Sequence, residues 1–544
     1  MASSTQSEPK ALPKAAGPSK WRITALLSAL FLSLFVAALD STVVATAVPV
    51  MAHELGSGLG YTWIGGSFLL ASSIASPIWG ILSDIWGRKP VLLVAITIFF
   101  VSSIICAVAK NIITLIVGRA LQGVSGVGLI LLTYVVISDV FSMRRRSLFL
   151  GLSQCVWAVA GGIGPIIGGI FASLTSWRWC FWINLPISGI AFVLIFFSLD
   201  VKHTKTDFIE GMRAIDWLGI FTFTAATLMI LLGLEFGGEI FPWNSPKVVV
   251  LIVVGCLMIF AFIYSEMKAK LPLLPMSIFI NPSNLATLLV SLSHGLTFMS
   301  IEYYLPLYFQ AVKEDTPIQS GLHVLALALS TAITSVTAGL LMHRTGRFRE
   351  LIWAGTLILC LGSGLLIMLD ESSSTVTAVG LQVLFGVGSG LLFEPPLIAI
   401  QAHVSPRDIT SATSTIAFVR SSALALSVII NGIIFSTSMS HQSSFLAASG
   451  IPASTLELLS GNEAAANVMI TQTMTDPTLI LAVKKAFAHG IRDMFIASTA
   501  FSGLGLVAGW FVKHAELSKV HIETVTGLKG TEKREEGPRI DLEA

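Results

Sequence analysis

The chain is predicted to be an all-α membrane protein with fourteen transmembrane helices: two six-helix bundles related by pseudo-twofold symmetry, plus two extra central helices. Three observations predict this. Of its 544 residues, 54% are hydrophobic and only 12% charged, whereas soluble domains carry about 25% charge; at a mean hydropathy of +0.82, lipid is the main solvent. Fourteen apolar stretches are each long enough to cross a bilayer, which takes about 20 residues. Finally, GILSDIWGRKP at 80–90 returns in altered form as GLLMHRTGRFR at 339–349, with glycine, leucine, glycine and arginine at the same offsets.

The stretches run 23–49, 61–83, 90–109, 112–138, 147–173, 178–199, 216–234, 247–265, 284–310, 318–342, 351–369, 375–401, 412–436 and 492–513, and are numbered spans 1–14. They are helices because lipid offers no partner to an unpaired backbone N–H or C=O. Period-two alternation is absent, which excludes a barrel. With an inner N-terminus and strict alternation, 24 of the 33 Lys and Arg residues fall inside and seven outside, while Arg119 and Arg420 lie within spans. The positive-inside rule therefore puts both termini in the cytosol.

The expected organisation is a disordered cytosolic tail over 1–22, an N-terminal bundle over 23–199 and cytosolic loops with inserted spans 7 and 8 over 200–283. A C-terminal bundle follows over 284–513 and a cytosolic tail over 514–544. The tail 1–22 lacks the residue order of a cleaved signal. The outer loop 437–490 contains TDPTLILAVKKAFAHGI, whose Asp-Pro start and apolar spacing suggest a short helix lying on the outer face. The five cysteines are singly spaced in or beside apolar runs and form no metal or disulfide pattern.

The recurring loop joins spans 2 and 3, then spans 10 and 11. Asp40 in span 1 is matched in depth by Glu302 in span 9, and GVSGVG at 123–128 by GVGSG at 386–390. Spans 1–6 thus resemble spans 9–14. Two like-oriented six-helix halves suit a transporter that rocks one half against the other.

GILSDIWGRKP resembles the signature between spans 2 and 3 of the major facilitator superfamily, and GRALQGVSGVG at 118–128 resembles its span 4 signature. GGIGPIIGG at 161–169 resembles the span 5 signature associated with antiporters, although Ala160 stands where that pattern usually has glycine. LDSTVVATAVP at 39–49 and WRWCFWINLPI at 177–187 resemble the fourteen-span branch. The resemblance implies the major-facilitator fold and a fungal-type drug:proton antiporter that exports amphipathic or toxic small molecules.

Asp40 and Arg119 are the candidates for proton coupling. A charged carboxylate at mid-membrane costs about 2.5–3.5 kcal/mol on insertion scales, and burial disfavours its charged form. Asp40 either carries a proton or substrate charge, or is a structural group bonded to Thr42 or a neighbouring helix. Arg119 cannot release its own proton. It either tunes a nearby carboxylate, as the resemblance implies, or simply pairs with Asp40. Glu302, Tyr303, Tyr304, Glu394 and Gln122 are assigned to the substrate cavity. Glu302 could bind cations with help from tyrosine faces. Glu394 precedes Pro395-Pro396, where the helix must bend or break, and Arg420 is its suggested partner. The aromatic residues Trp157, Phe181, Trp182 and Phe393 suit a pocket for lipophilic substrates.

Gly80, Asp84, Gly87, Arg88 and Asp139 are assigned to a conformational latch. Asp84 would face the N-terminus of span 13 near Ser411–Ser414, where the helix dipole favours an anion. Arg88 would clamp Asp139. In the second half His343 replaces the aspartate, and Arg144–Arg146 read as ordinary positive-inside charge. Gly164, Pro165, Gly168 and Gly169 are assigned to a helix-packing seal, because small residues let helices approach closely.

An ATP-driven pump would need a G-x-x-x-x-G-K-[ST] loop on a soluble domain, and a channel a repeated pore loop; the sequence has neither. The expectation is a proton-coupled exporter, not an enzyme, with no cofactor or metal. Its partners are a small-molecule substrate, protons and the lipid bilayer, not nucleic acid, and it functions as a monomer. It is expected in the plasma membrane, with the vacuolar membrane as the alternative. The alternative functions are vacuolar basic amino-acid or siderophore transport on the same fold, and a non-transporting membrane sensor.

Overall fold

The computed structural model describes residues 20–518 apart from 56–59, 201–205, 239–240, 270, 407, 462 and 469. The predicted tails over 1–22 and 514–544 fall mostly outside those residues. Among the described residues, fourteen helices are long and apolar enough to cross a membrane. The first six spans are Lys20–Glu54, Gly60–Trp86, Arg88–Ala107, Ile112–Val140, Met143–Leu174, and Trp179–Trp182 continued by Asn184–Ser198. Spans 7 and 8 are Trp217–Phe236 and Pro246–Glu266. The last six are Pro282–Ala311, Pro317–Thr345, Arg349–Leu366, Thr375–Phe393 with Pro395–Ala402, Ile409–Ala448 and Pro477–Gly509.

Local chemistry sets many of these starts. The side chains of Asn111, Asp216, Asn281, Ser374 and Asp476 accept from the first free N–H groups of spans 4, 7, 9, 12 and 14. Thr316 and Gln319 form a reciprocal capping box on span 10. Pro246, Pro282, Pro317 and Pro477 open their helices, where a missing N–H costs nothing.

Loop 437–490 differs from its expectation. The Asp-Pro start is real, but the helix it opens runs unbroken into span 14, and span 13 continues to Ala448. At 1.5 Å per residue, its 40 residues reach about 60 Å, twice the hydrocarbon thickness. It is therefore longer than a crossing of the bilayer core requires. Phe435, Met439, Leu446 and Phe487 bury between the two extensions. The short helices Ala453–Leu458 and Glu463–Ala466 and the 3₁₀ turn Ile470–Thr473 join them. Lys484 pairs with Glu314 at 2.9 Å, holding this projection to the end of span 9.

The repeat is visible in the backbone. Gly87 and Gly346 both turn through positive φ, 88° and 76°, a conformation that costs glycine nothing. Gly80 of span 2 packs on Ser414 of span 13, and Gly339 of span 10 packs on Ser147 and Gly151 of span 5. Span 2 corresponds to span 10 and span 5 to span 13, so the two seams between the bundles exchange under the pseudo-twofold.

Spans 7 and 8 are central in the chain but not between the bundles in space. Span 7 lies along the seam of spans 2 and 13: Phe223 meets Phe418 at 4.8 Å, Trp63 meets Phe236 at 5.9 Å, and Leu231 packs with Leu70 and Ala425. A chain that must leave one bundle and enter the other passes this seam, and two apolar helices cover it from the lipid side.

Candidate functional site

Asp40 is fully buried inside the N-terminal bundle, between spans 1, 4 and 6. Arg119 Nη1 donates to its Oδ2 at 2.6 Å. Gln122 Nε2 and Asn184 Nδ2 donate to Oδ1 at 2.9 and 2.7 Å. Gln122 is itself held by Ser103 and by a second bond from Arg119. Arg119 Nε donates to the carbonyl of Ile64, and its guanidinium lies 4.6 Å from the Phe68 ring centre. A buried charge is tolerable only when paired and hydrogen-bonded, and both members meet that condition. Thr42 is not a partner of Asp40; its hydroxyl donates to Ala160 of span 5. Gln122, assigned to the substrate cavity, has both its polar atoms engaged in this network. Asn184 was missed by sequence reasoning, although it stands inside the WRWCFWINLPI motif.

Arg88 is the centre of a buried network that joins span 3 to spans 2, 4 and 13. Its Nε donates to Asp139 at 2.6 Å, and Nη1 to Ser83 and Asp84, both at 2.7 Å. Nη2 crosses to Thr410 in the first turn of span 13, also at 2.7 Å. Asp84 also bonds Thr410, so it faces that helix start as expected. Gly80 lets the crossing happen: a Cβ there would sit 2.1 Å from Ser414 Oγ.

A second cross-bundle network had no counterpart in the sequence reading. Arg146 is buried, not an ordinary surface charge, and donates to Gln401 Oε1 at 3.0 Å and to the Ser138 carbonyl at 2.7 Å. Gln401 Nε2 donates to Ser138 and Thr413. The signal was available: Gln401 follows the glycines of span 12 at the distance at which Asp139 follows those of span 4. Arg144 donates to the carbonyl of Arg344 and accepts at its own carbonyl from His343. Among the described residues, every side-chain hydrogen bond between the bundles lies toward the face that carries the basic loops. The structure is closed on that face.

Glu302 of span 9 is exposed. Tyr303 is exposed and stacks edge-on with Tyr304, whose hydroxyl donates to the Val428 carbonyl of span 13. Tyr304 is thus a packing residue between spans 9 and 13. Glu394 is buried at the break in span 12 and accepts from Gln154 of span 5 at 3.0 Å. Arg420 does not form an ion pair with it. Pro396 has no N–H for the Leu392 carbonyl, and Arg420 Nη2 donates to the carbonyls of Leu392 and Phe393, the latter at 2.7 Å.

Of the four seal residues, two pack as expected. A Cβ on Gly164 would sit 2.1 Å from Thr42 Oγ1, and one on Gly168 would sit 2.2 Å from the Val43 carbonyl oxygen. Gly169 has no neighbour within 4 Å and Pro165 is exposed, so neither belongs to the contact with span 1. Among the aromatics, Phe181 is buried against Trp177. Phe393 meets Phe298 at 5.1 Å, edge to face.

This arrangement has two six-helix halves, joined by side-chain bonds on the basic face, and buried paired charges. The sequence profile described as Major Facilitator Superfamily matches residues 30–428. The efflux pump dotC of Dothistroma septosporum is 40% identical over 514 residues, covering 94% of this chain and 88% of that one. The MFS-type transporter ppz2 of Metarhizium majus is 40% identical over 512 residues, with coverages of 94% and 88%. The proton:xylose symporter XylE superposes with a TM-score of 0.57 at 12% identity, covering 95% of this chain and all of that one. The human organic anion transporter MFSD10 gives 0.56 at 14%, covering 91% and 100%; both are likenesses of fold. With the two seams exchanged by the pseudo-twofold and the matched profile spanning most of both bundles, the chain is a membrane transporter and belongs to the major facilitator superfamily.

Proposed function

We propose that this protein exports amphipathic or toxic small molecules across the plasma membrane in exchange for protons, as a monomer with both termini in the cytosol. The basic face is then cytosolic, and the conformation described is closed inside, which we take as the outward-facing state. Substrate enters from the inner side, the halves rock, and it leaves outward past Glu302. The buried Asp40–Arg119 pair carries this reading. An ionised Asp40 holds Arg119, Gln122 and Asn184 in one arrangement across spans 1, 4 and 6. A proton arriving from outside removes the charge that orients Arg119, and the bundle repacks toward the inward-open form. Arg88, Asp84 and Asp139 latch the inner face in the outward-open state, while Gly164 and Gly168 keep spans 1 and 5 tight against ion leak. Similarity to fungal proteins named as efflux pumps supports the direction of transport.

The test is efflux of a panel of dyes and toxins from cells expressing the protein, with and without a protonophore. Protonophore-sensitive efflux of several lipophilic compounds is expected. Efflux that persists unchanged after the gradient is collapsed would remove the proton from the mechanism.

A further inference from the structure

Three buried polar atoms around one aromatic ring have no hydrogen-bond partner: Glu394 Oε2, His294 Nδ1 and Arg420 Nε. The ring is Phe393; His294 meets it edge-on at 4.8 Å and the Arg420 guanidinium lies 5.3 Å from its centre. Arg420 is committed to the carbonyls of the broken helix, so it acts on Glu394 through space. Among the described residues, the one side chain donating to the Glu394 carboxyl, Gln154, comes from the other bundle. Tyr134 of span 4 also faces Glu394, but its hydroxyl is engaged with Ser153 and Trp157. Span 9 contributes His294, bonded through Nε2 to Ser389 at 2.9 Å; spans 10 and 11 place no titratable group against Glu394. A carboxylate with a single neutral side-chain donor is poorly satisfied for a charged group when buried.

We propose that Glu394 is a second proton-binding residue, in the opposite bundle from Asp40, and that the inner face closes over it only when its charge is neutralised. This rests on the reading of the protein as a proton-driven exporter. When the inner face opens, span 5 withdraws Gln154 and water reaches the carboxyl, which ionises there and releases its proton to the cytosol. Closing again buries it, which requires either a returning proton or the positive charge of a bound cationic substrate. An empty, ionised carrier therefore cannot cross, and the gradient is not short-circuited.

The test is amide hydrogen exchange of the inner ends of spans 5 and 10 in the purified full-length transporter without substrate, from pH 5.5 to 8.5, corrected for intrinsic exchange rates. In the wild type, protection is expected to fall at least tenfold as pH rises. In Glu394→Gln it stays high at every pH, Glu394→Asp restores the fall, and Asp40→Asn retains it. A wild-type pH response in Glu394→Gln overturns the proposal, as does no response in the wild type or a response abolished only by Asp40→Asn. Elution as a monodisperse peak and an unchanged helical circular-dichroism spectrum show that the variants are folded. If wild-type efflux ignores the proton gradient while the exchange pattern holds, the export reading fails and Glu394 remains a pH-sensitive gate. If efflux is proton-driven and Glu394→Gln responds like wild type, only the second site is lost.

Discussion

Gly339→Ala inserts a wedge at the centre of one seam. A Cβ on Gly339 would sit 2.5 Å from the Ser147 carbonyl oxygen and 3.2 Å from Gly151 Cα. Both neighbours are helix backbone and cannot rotate aside. Bringing the first contact to 3.0 Å, below which real Cβ atoms essentially never go, needs spans 5 and 10 to separate by about 0.5 Å, and an ordinary contact needs about twice that. Overpacking of this kind costs about 1–3 kcal/mol. The strain is present only when the inner face is closed, so it becomes a shift of about 5–150-fold toward the inward-open state. The Ser147–Gly339 bond and its neighbours Arg146–Gln401 and Gln154–Glu394 lie on the same seam and loosen with it. Spin labels on the inner ends of spans 5 and 10, read by pulsed electron resonance, should show the longer-distance population grow by that factor. Gly169→Ala is the control, because nothing lies within 4 Å of its Cβ. An unchanged distance distribution in Gly339→Ala, or the same change in Gly169→Ala, refutes the packing argument.

Asp40→Asn removes the counter-charge of a buried guanidinium; breaking such a pair costs about 3–5 kcal/mol, so a lowered thermal midpoint and loss of gradient-driven efflux are expected in protein that still reaches the membrane. Efflux at the wild-type rate with the normal gradient dependence would rule out its coupling role. Arg88→Lys keeps the charge but not the fork, and losing the Thr410 bond, at about 1.5–3 kcal/mol for a charged hydrogen bond, should slow turnover without weakening dye binding in equilibrium dialysis; weakened binding would move Arg88 to the pocket. Asp370, in the loop between spans 11 and 12, is held below its ordinary range chiefly by hydrogen bonds from Ser373 and then Ser372. Its stabilisation is therefore complete above the unfolded carboxylate value near 3.8 and is lost as pH falls through the lower folded value. Asp370→Ala should lower the thermal midpoint slightly at pH 7 and converge on wild type in strong acid; a deficit that grows on acidification contradicts the sign.

Most of the fold was legible because lipid permits few solutions: apolar length, basic loops and a repeated signature fix helices, faces and halves. Asp40 and Arg119 were legible for the same reason, since two opposite charges in oil must find each other. What the sequence could not supply was which side of a helix meets which neighbour. Gly168 and Gly169 are adjacent and equally small, yet only one faces span 1. Gln122 reads as a cavity residue, and its register turns it toward Asp40. Glu394 marks a broken helix correctly, while its burial depends on Gln154 in the other half, and so on the conformation. Arg146 sat in a run of three arginines that the positive-inside rule already explained, which concealed its buried bond to Gln401.

The central claim is that a proton moving inward drives substrate outward through one alternating carrier. Its most direct measurement is simultaneous recording of dye and proton fluxes in proteoliposomes under an imposed pH gradient, with the periplasm-like or extracellular face made acidic. Dye should accumulate on the acidic side against its own gradient while protons cross the other way, and both fluxes should stop together in Asp40→Asn. Dye movement that runs only downhill, or that proceeds with no accompanying proton flux, would contradict the account.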